Sequence, residues 1–188
     1  MLLYGCLIYE DVSNIGQIEL CKGKEIYGEA NLNITNSISL NEYKNFGLKC
    51  TMLSNELTLS KVLNIKKCIE CEVLVYGKFE VMNTKACLYK NAFGKCGCSE
   101  DKFLYLEDRM KKHFPVLQDS FTCTSHIFNS APLFMLDKLN DIKKTNVKYL
   151  RLAFTDENEN EINNIINLCK TGKKCDFEFT RGHYFRGV

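Results

Sequence analysis

LKCTMLSNELTLSKVLNIKKCIECEVLVYG, residues 48–77, carries the pattern on which the fold depends. It opens on LKCTMLS (48–54) and closes on ECEVLVYG (70–77), two apolar runs that predict strands. Between them ELTLSKVLN (56–64) has the period of a short helix. Apolar strands alternating with helices argue for parallel βα units. Upstream the same rhythm runs once more. GKEIYGEANLNI (23–34) reads as a strand and NSISLNEYKNFG (36–47) as a helix. In that helix Ile38, Tyr43 and Phe46 can share a face, and Gly47 suits the left-handed position that ends helices. Residues 2–8 could add a weak strand. Strand starts recur after about two dozen residues, the tight spacing of a βα barrel.

After Gly77 the rhythm breaks. Residues 78–132 hold a cysteine-rich loop, a charged helix candidate, LYLEDRMKKHF (104–114), and an extended stretch, FPVLQDSFTCTSHIFNS (114–130). It then resumes. PLFMLDKLNDIKKTN (132–146) predicts a helix with Pro132 in its first turn and Leu133, Leu136 and Leu139 along one stripe. VKYLRLAF (147–154) predicts a strand, and ENEINNIINLCK (159–170) a helix. A short aromatic and basic tail, DFEFTRGHYFRGV, follows. A complete eight-unit barrel takes about 250 residues. The expectation is therefore α/β: one partial TIM-like (β/α) barrel domain over residues 1–188, with a cysteine-rich insertion at 78–132.

The chain has 188 residues, 45% of them hydrophobic, enough for a full core. A net charge of +2 gives no support for a broad nucleic-acid footprint. Lys66-Lys67 and Lys143-Lys144 read as solvated helix ends. No apolar run has the length of a membrane span. MLLYGCLIYEDV lacks the basic leader and cleavage site of a signal peptide, so a cytoplasmic protein is expected. Eleven cysteines, an odd number in a chain of this length, make a poor disulfide framework. Cys50, Cys71 and Cys169 stand where a small hydrophobe would serve, and read as core.

The loop ACLYKNAFGKCGCSE (86–100) differs. Cys87, Cys96 and Cys98, with Cys123 beyond them, are spaced C-x8-C-x-C-x24-C. Thiolates gather on loops chiefly to hold soft metals. Structural zinc favours paired C-x2-C elements, which neither pair here provides. Iron–sulfur clusters accept irregular spacing because their ligands come from distant segments. Gly94 and Gly97 would let the backbone fold close around such a group. Spacing alone favours iron–sulfur, with zinc and unligated thiols still open.

ECEVLVYGKFEVMNTKAC (70–87), FNSAPLFMLDKL (128–139), VKYLRLAF and FTRGHYFRGV, with NLNITNS (31–37) and MLSNELTL (52–59) before them, together resemble the collagenase-like peptidases of unassigned catalytic type, peptidase family U32. The resemblance covers nearly the whole chain in order. It implies an incomplete or distorted βα barrel with a [4Fe–4S] cluster on four cysteines. Carried over residue by residue, Cys87 matches the cysteine following the E-x-x-V-x-G strand. Cys123 matches the cysteine ahead of the I-x-N-S segment, and Cys96 and Cys98 fall where intermediate ligands belong. Many members have a further cysteine just after that strand's glycine, where this chain has Glu80.

The resemblance further implies oxygen-independent hydroxylation of RNA or of a quinone ring, with proteolysis as the alternative and an inactive fragment or subunit of a split enzyme as the second. The residues offer proteolysis little. His113, His126 and His183 lie in no arrangement with a nucleophile, and HExxH is absent from the sequence. Glu56 stands just after a strand, at the catalytic rim of βα barrels, or caps a helix start. Arg181 and His183, with Arg186, could bind an anionic substrate or merely cap a strand. Asn33 and Asn36 read as rim residues or turn-formers. His126, close to Cys123, could orient a cluster sulfur. The resemblance enters after the family's first βα units, which predicts a homodimer or a separate chain supplying the missing half of the barrel.

Overall fold

The computed structural model describes residues 10–96 and 103–186, which divide into two compact units. The first holds the chain up to Val75, Met135–Leu152 and the segment from Arg181. The second holds Tyr76–Phe134 and Ala153–Thr180. The weak strand expected at residues 2–8 lies outside the described residues.

Strands β1 (Glu10–Val12), β2 (Ile26–Gly28), β3 (Leu48–Met52) and β4 (Glu70–Gly77), the last passing into the second unit at Tyr76, pair in parallel and in sequence order. Helices α1 (Ile15–Leu20), α2 (Ser37–Asn45) and α3 (Leu59–Asn64) connect them. The parallel βα reading of residues 48–77 thus holds. Each helix starts on a side-chain cap, because its first backbone N–H groups have no intrahelical partner. Asn14 and Gln17 form a reciprocal capping box on α1. Asn36 accepts from Ile38 and Ser39 at 3.0 and 2.9 Å, and Thr58 accepts from Lys61 at 3.2 Å.

Two details differ from the sequence pattern. The strand of residues 23–34 shrinks to Ile26–Gly28, followed by a 3-10 turn at Ala30–Leu32 that ends on left-handed Asn33. The buried face of α2 is Leu40, whereas Ile38 and Phe46 are exposed, so the expected stripe is not the packed one. Gly28 explains part of this tightness: a Cβ there would lie 2.6 Å from the Thr51 hydroxyl, which donates to the Gly28 carbonyl at 3.1 Å. Ile34, Leu48, Leu53, Leu57 and Ile142 fill the core.

The helix expected over 132–146 is three pieces. Strand β9 (Leu133–Phe134) pairs antiparallel with the end of β4, a 3-10 turn covers Leu136–Lys138, and α5 spans Leu139–Lys143. Pro132 has no N–H to give and precedes a two-residue strand instead of opening a helix. Strand β10 (Tyr149–Leu152) continues the sheet beside β4, giving the order β1-β2-β3-β4-β10. Among the described residues no pairing joins β1 to β10. The described residues thus form a mixed α/β layer in which the sheet does not close into a barrel.

The second unit carries an antiparallel sheet of order β5-β8-β7-β6, from β5 (Glu80–Thr84), β6 (Leu104–Glu107), β7 (His113–Asp119) and β8 (Thr124–Phe128). The charged helix expected at 104–114 is therefore a hairpin. The Asp108 carboxylate accepts from Met110 at 2.7 Å and Lys112 at 2.9 Å, and Lys111 takes a positive φ of 62°. This local side-chain capture of backbone N–H groups turns the chain before a helix can propagate. Short α4 (Leu88–Phe93) follows β5, and α6 (Glu159–Thr171) runs from the Asn158 capping box to left-handed Gly172. Val116, Ile127, Phe134 and Ile165 are buried here, with Phe177 and Phe179 packed on the Phe134 ring at 5.7 and 5.5 Å. None of the helices among the described residues is long and apolar enough to cross a membrane.

Candidate functional site

Cys87 and Cys123 come to the same end of the four-stranded sheet. Thr84 pairs with Ser125, so the chain leaving β5 toward Cys87 runs beside the turn that enters β8 after Cys123. Side chains hold that arrangement. The buried Ser125 hydroxyl donates to the Ala86 carbonyl at 2.8 Å and accepts from the Gln118 amide at 2.7 Å. The Lys85 ammonium reaches the Thr122 carbonyl and the Thr124 hydroxyl at 2.8 and 3.0 Å. Cys87 caps α4: its sulfur accepts from the Lys90 amide at 3.4 Å and its thiol lies 3.8 Å from the Gln118 carbonyl oxygen.

Cys123 is exposed in the β7–β8 turn with a left-handed φ of 51°, where Asp119 accepts from Phe121 at 2.9 Å. Cys96 is exposed, two residues beyond left-handed Gly94, which ends α4. Cys98 and Gly97 lie outside the described residues. Among the described residues no group of three or more His, Cys, Asp or Glu side chains stands close enough to hold a metal ion. The donor chemistry suits a thiolate-bound cluster or zinc, and the sheet brings two of the four expected ligands to one end. The described residues do not close the set.

Glu80, at the position where the resemblance expects a cysteine, accepts from the ring Nδ1–H of His126 at 2.9 Å. A carboxylate fixing Nδ1 leaves Nε2 as the outward nitrogen. His126 is thus oriented by Glu80.

The other sequence candidates disperse. Glu56 is exposed, its amide on the Ser54 hydroxyl at 3.4 Å, and two residues ahead of the α3 cap. Arg181 forks onto Asp137, with Nη2 at 2.8 Å from Oδ2, and holds that carboxyl below its ordinary range. His183 is half-buried, its carbonyl accepting from Arg186. Asn36 is a helix cap and Asn33 a left-handed turn residue. Cys50, Cys71 and Cys169 are buried as expected, and burial pushes the first two thiols up to about 12 and about 11.

Two constellations escape the sequence pattern. In the first unit Arg151 on β10 bridges Glu29 at 2.8 Å and Glu72 on β4, and Tyr27 donates to Glu72 at 2.5 Å. The guanidinium also lies 5.3 Å from the Tyr27 ring centroid. Burial, then the Glu72 charge, raises the Tyr27 pKa. In the second unit a cleft lined by Tyr76, Tyr105, Phe177 and several carboxylates opens beyond Gly77. Charged residues inside the apolar runs of β4 and β10, Glu72 and Arg151, are the sequence signal for the first; nothing local marks the second.

A parallel βα sheet interrupted by a cysteine-bearing insertion is the class of protein defined by this fold and site. The family model of peptidase family U32 matches residues 6–171, and the chain belongs to that family. No curated protein and no solved structure matches the chain.

Proposed function

We propose that this chain is an iron–sulfur protein of the oxygen-independent hydroxylation type, acting on RNA or on a quinone ring in the cytoplasm. Cys87, Cys96, Cys98 and Cys123 hold the [4Fe–4S] cluster in this reading, on a partial TIM-like barrel. The convergence of Cys87 and Cys123 at one sheet end, fixed through Ser125 and Lys85, is the observation that carries it. Such a centre supplies electron-transfer chemistry, for which the protein contributes binding and orientation. Among the described residues β1 and β10 are the edge strands of the parallel sheet, which favours a second copy or a separate chain that extends it.

Anaerobic purification with iron and acid-labile sulfide assays tests the reading. About four irons and four sulfides per chain are expected, lost in Cys87→Ala and in Cys123→Ala. Zinc in their place would turn the loop into a structural or hydrolytic site. Cleavage of casein or denatured collagen by metal-free protein would instead favour the peptidase reading that the family's name carries. A monodisperse monomer in sedimentation would remove the partner chain.

A further inference from the structure

The cleft of the second unit has a volume of about 450 Å³, within the range of small-molecule sites. It opens where the chain leaves β4, and the loop after β10 supplies its far wall. Four carboxylates, Asp156, Glu157, Glu161 and Glu178, face a single ammonium, Lys78, so the lining carries −3.

That charge is unevenly compensated. Lys78 is bound to Asp156, whose other oxygen accepts from the Tyr105 hydroxyl at 3.2 Å. Glu178 pairs with Lys112. Among the described residues Glu157 takes only neutral donors, the Tyr76 hydroxyl at 2.9 Å and the Thr155 amide at 2.5 Å. Glu161 likewise takes only the Asn158 amide at 2.7 Å. No cation among the described residues pairs with either. The rings of Tyr76 and Phe177 stand edge to face at 6.5 Å beside them, and Tyr105 adds a third.

We propose that this cleft binds an aliphatic ammonium, as carried by a free polyamine or by a lysine side chain. Unneutralised carboxylates supply the charge partner, aromatic faces attract the cation, and Pro132, Ile165 and Phe177 give a methylene stem apolar walls. Burial first, and then Glu157 at Tyr76 and Asp156 at Tyr105, raise the pKa of both hydroxyls. An anion is disfavoured on the same grounds. At the start of α6 the Asn158 side chain already takes the amides of Asn160 and Glu161, and Glu157, Glu159 and Glu161 place like charge against an anion there.

Titration calorimetry on the full chain, with spermidine and with a short lysine-containing peptide as probes, decides the matter. One-to-one binding that weakens with salt is expected. Affinity should fall by about tenfold or more in the Glu157→Gln, Glu161→Gln double variant. Both changes keep an acceptor oxygen for Tyr76 and Asn158, and an unchanged melting temperature certifies the fold. Binding of spermidine alone assigns a free polyamine, and of the peptide alone a lysine side chain. Binding of neither probe, wild-type affinity in the double variant, or competition by adenosine monophosphate at the same residues overturns the proposal. Iron content measured in the same samples keeps this result separate from that of the cysteine loop.

Discussion

Gly77 stands where β4 ends, with φ of 145°, and a Cβ there would lie 2.6 Å from the Ala153 carbonyl oxygen. Both the backbone conformation and the close approach require glycine. Gly77→Ala should cost about 2–3 kcal/mol, read as a lower urea midpoint. Asp137 gives a second test. The hydrogen bond from Arg181 holds its carboxyl below the ordinary 3.8. A depressed folded pKa stabilises the protein above the unfolded value and loses that contribution as pH falls through the folded one. Acid unfolding of the wild type should therefore steepen below about pH 4, and Asp137→Asn should flatten the curve in that window. An unaltered pH dependence in the variant would deny the pair its role. Asp137 itself was not evident from sequence, because its partner is 44 residues away.

At the scale of elements, the helices begin where capping residues stand, and those are local signals. Asn36→Ala removes the acceptor for two backbone amides of α2 and should lower stability by about 1 kcal/mol, measured by chemical unfolding. Serine at that position should restore most of it. Strand β4 was legible to the residue, since ECEVLVYG carries the apolar, β-branched run Val73–Tyr76 and ends on a glycine. The hairpin of β6 and β7 was not. Its charged residues have helical propensity, but the Asp108 turn and cross-strand pairs such as Leu104 with Val116 override it. The region 132–146 was misread for a related reason. Leu133, Leu136 and Leu139 have helical spacing, yet Leu133 is held by strand pairing to Gly77.

For the whole molecule, ligand binding to the native state alone must raise its stability. Anaerobic reconstitution with iron and sulfide should increase the melting temperature of the wild type and leave Cys123→Ala unmoved. An equal rise in both would place the iron elsewhere. The parallel βα order of residues 48–77 and the core character of Cys50, Cys71 and Cys169 were legible in the sequence, because apolar runs and helical periods recur within each unit of the chain. Family membership also followed from motifs in linear order. Tertiary structure decided the rest: the strand order of the sheet, the Arg151 network, the pairing of Glu80 with His126, and the acidic cleft beyond β4. Those features join residues dozens of positions apart, and only strand pairing and packing choose which distant side chains meet.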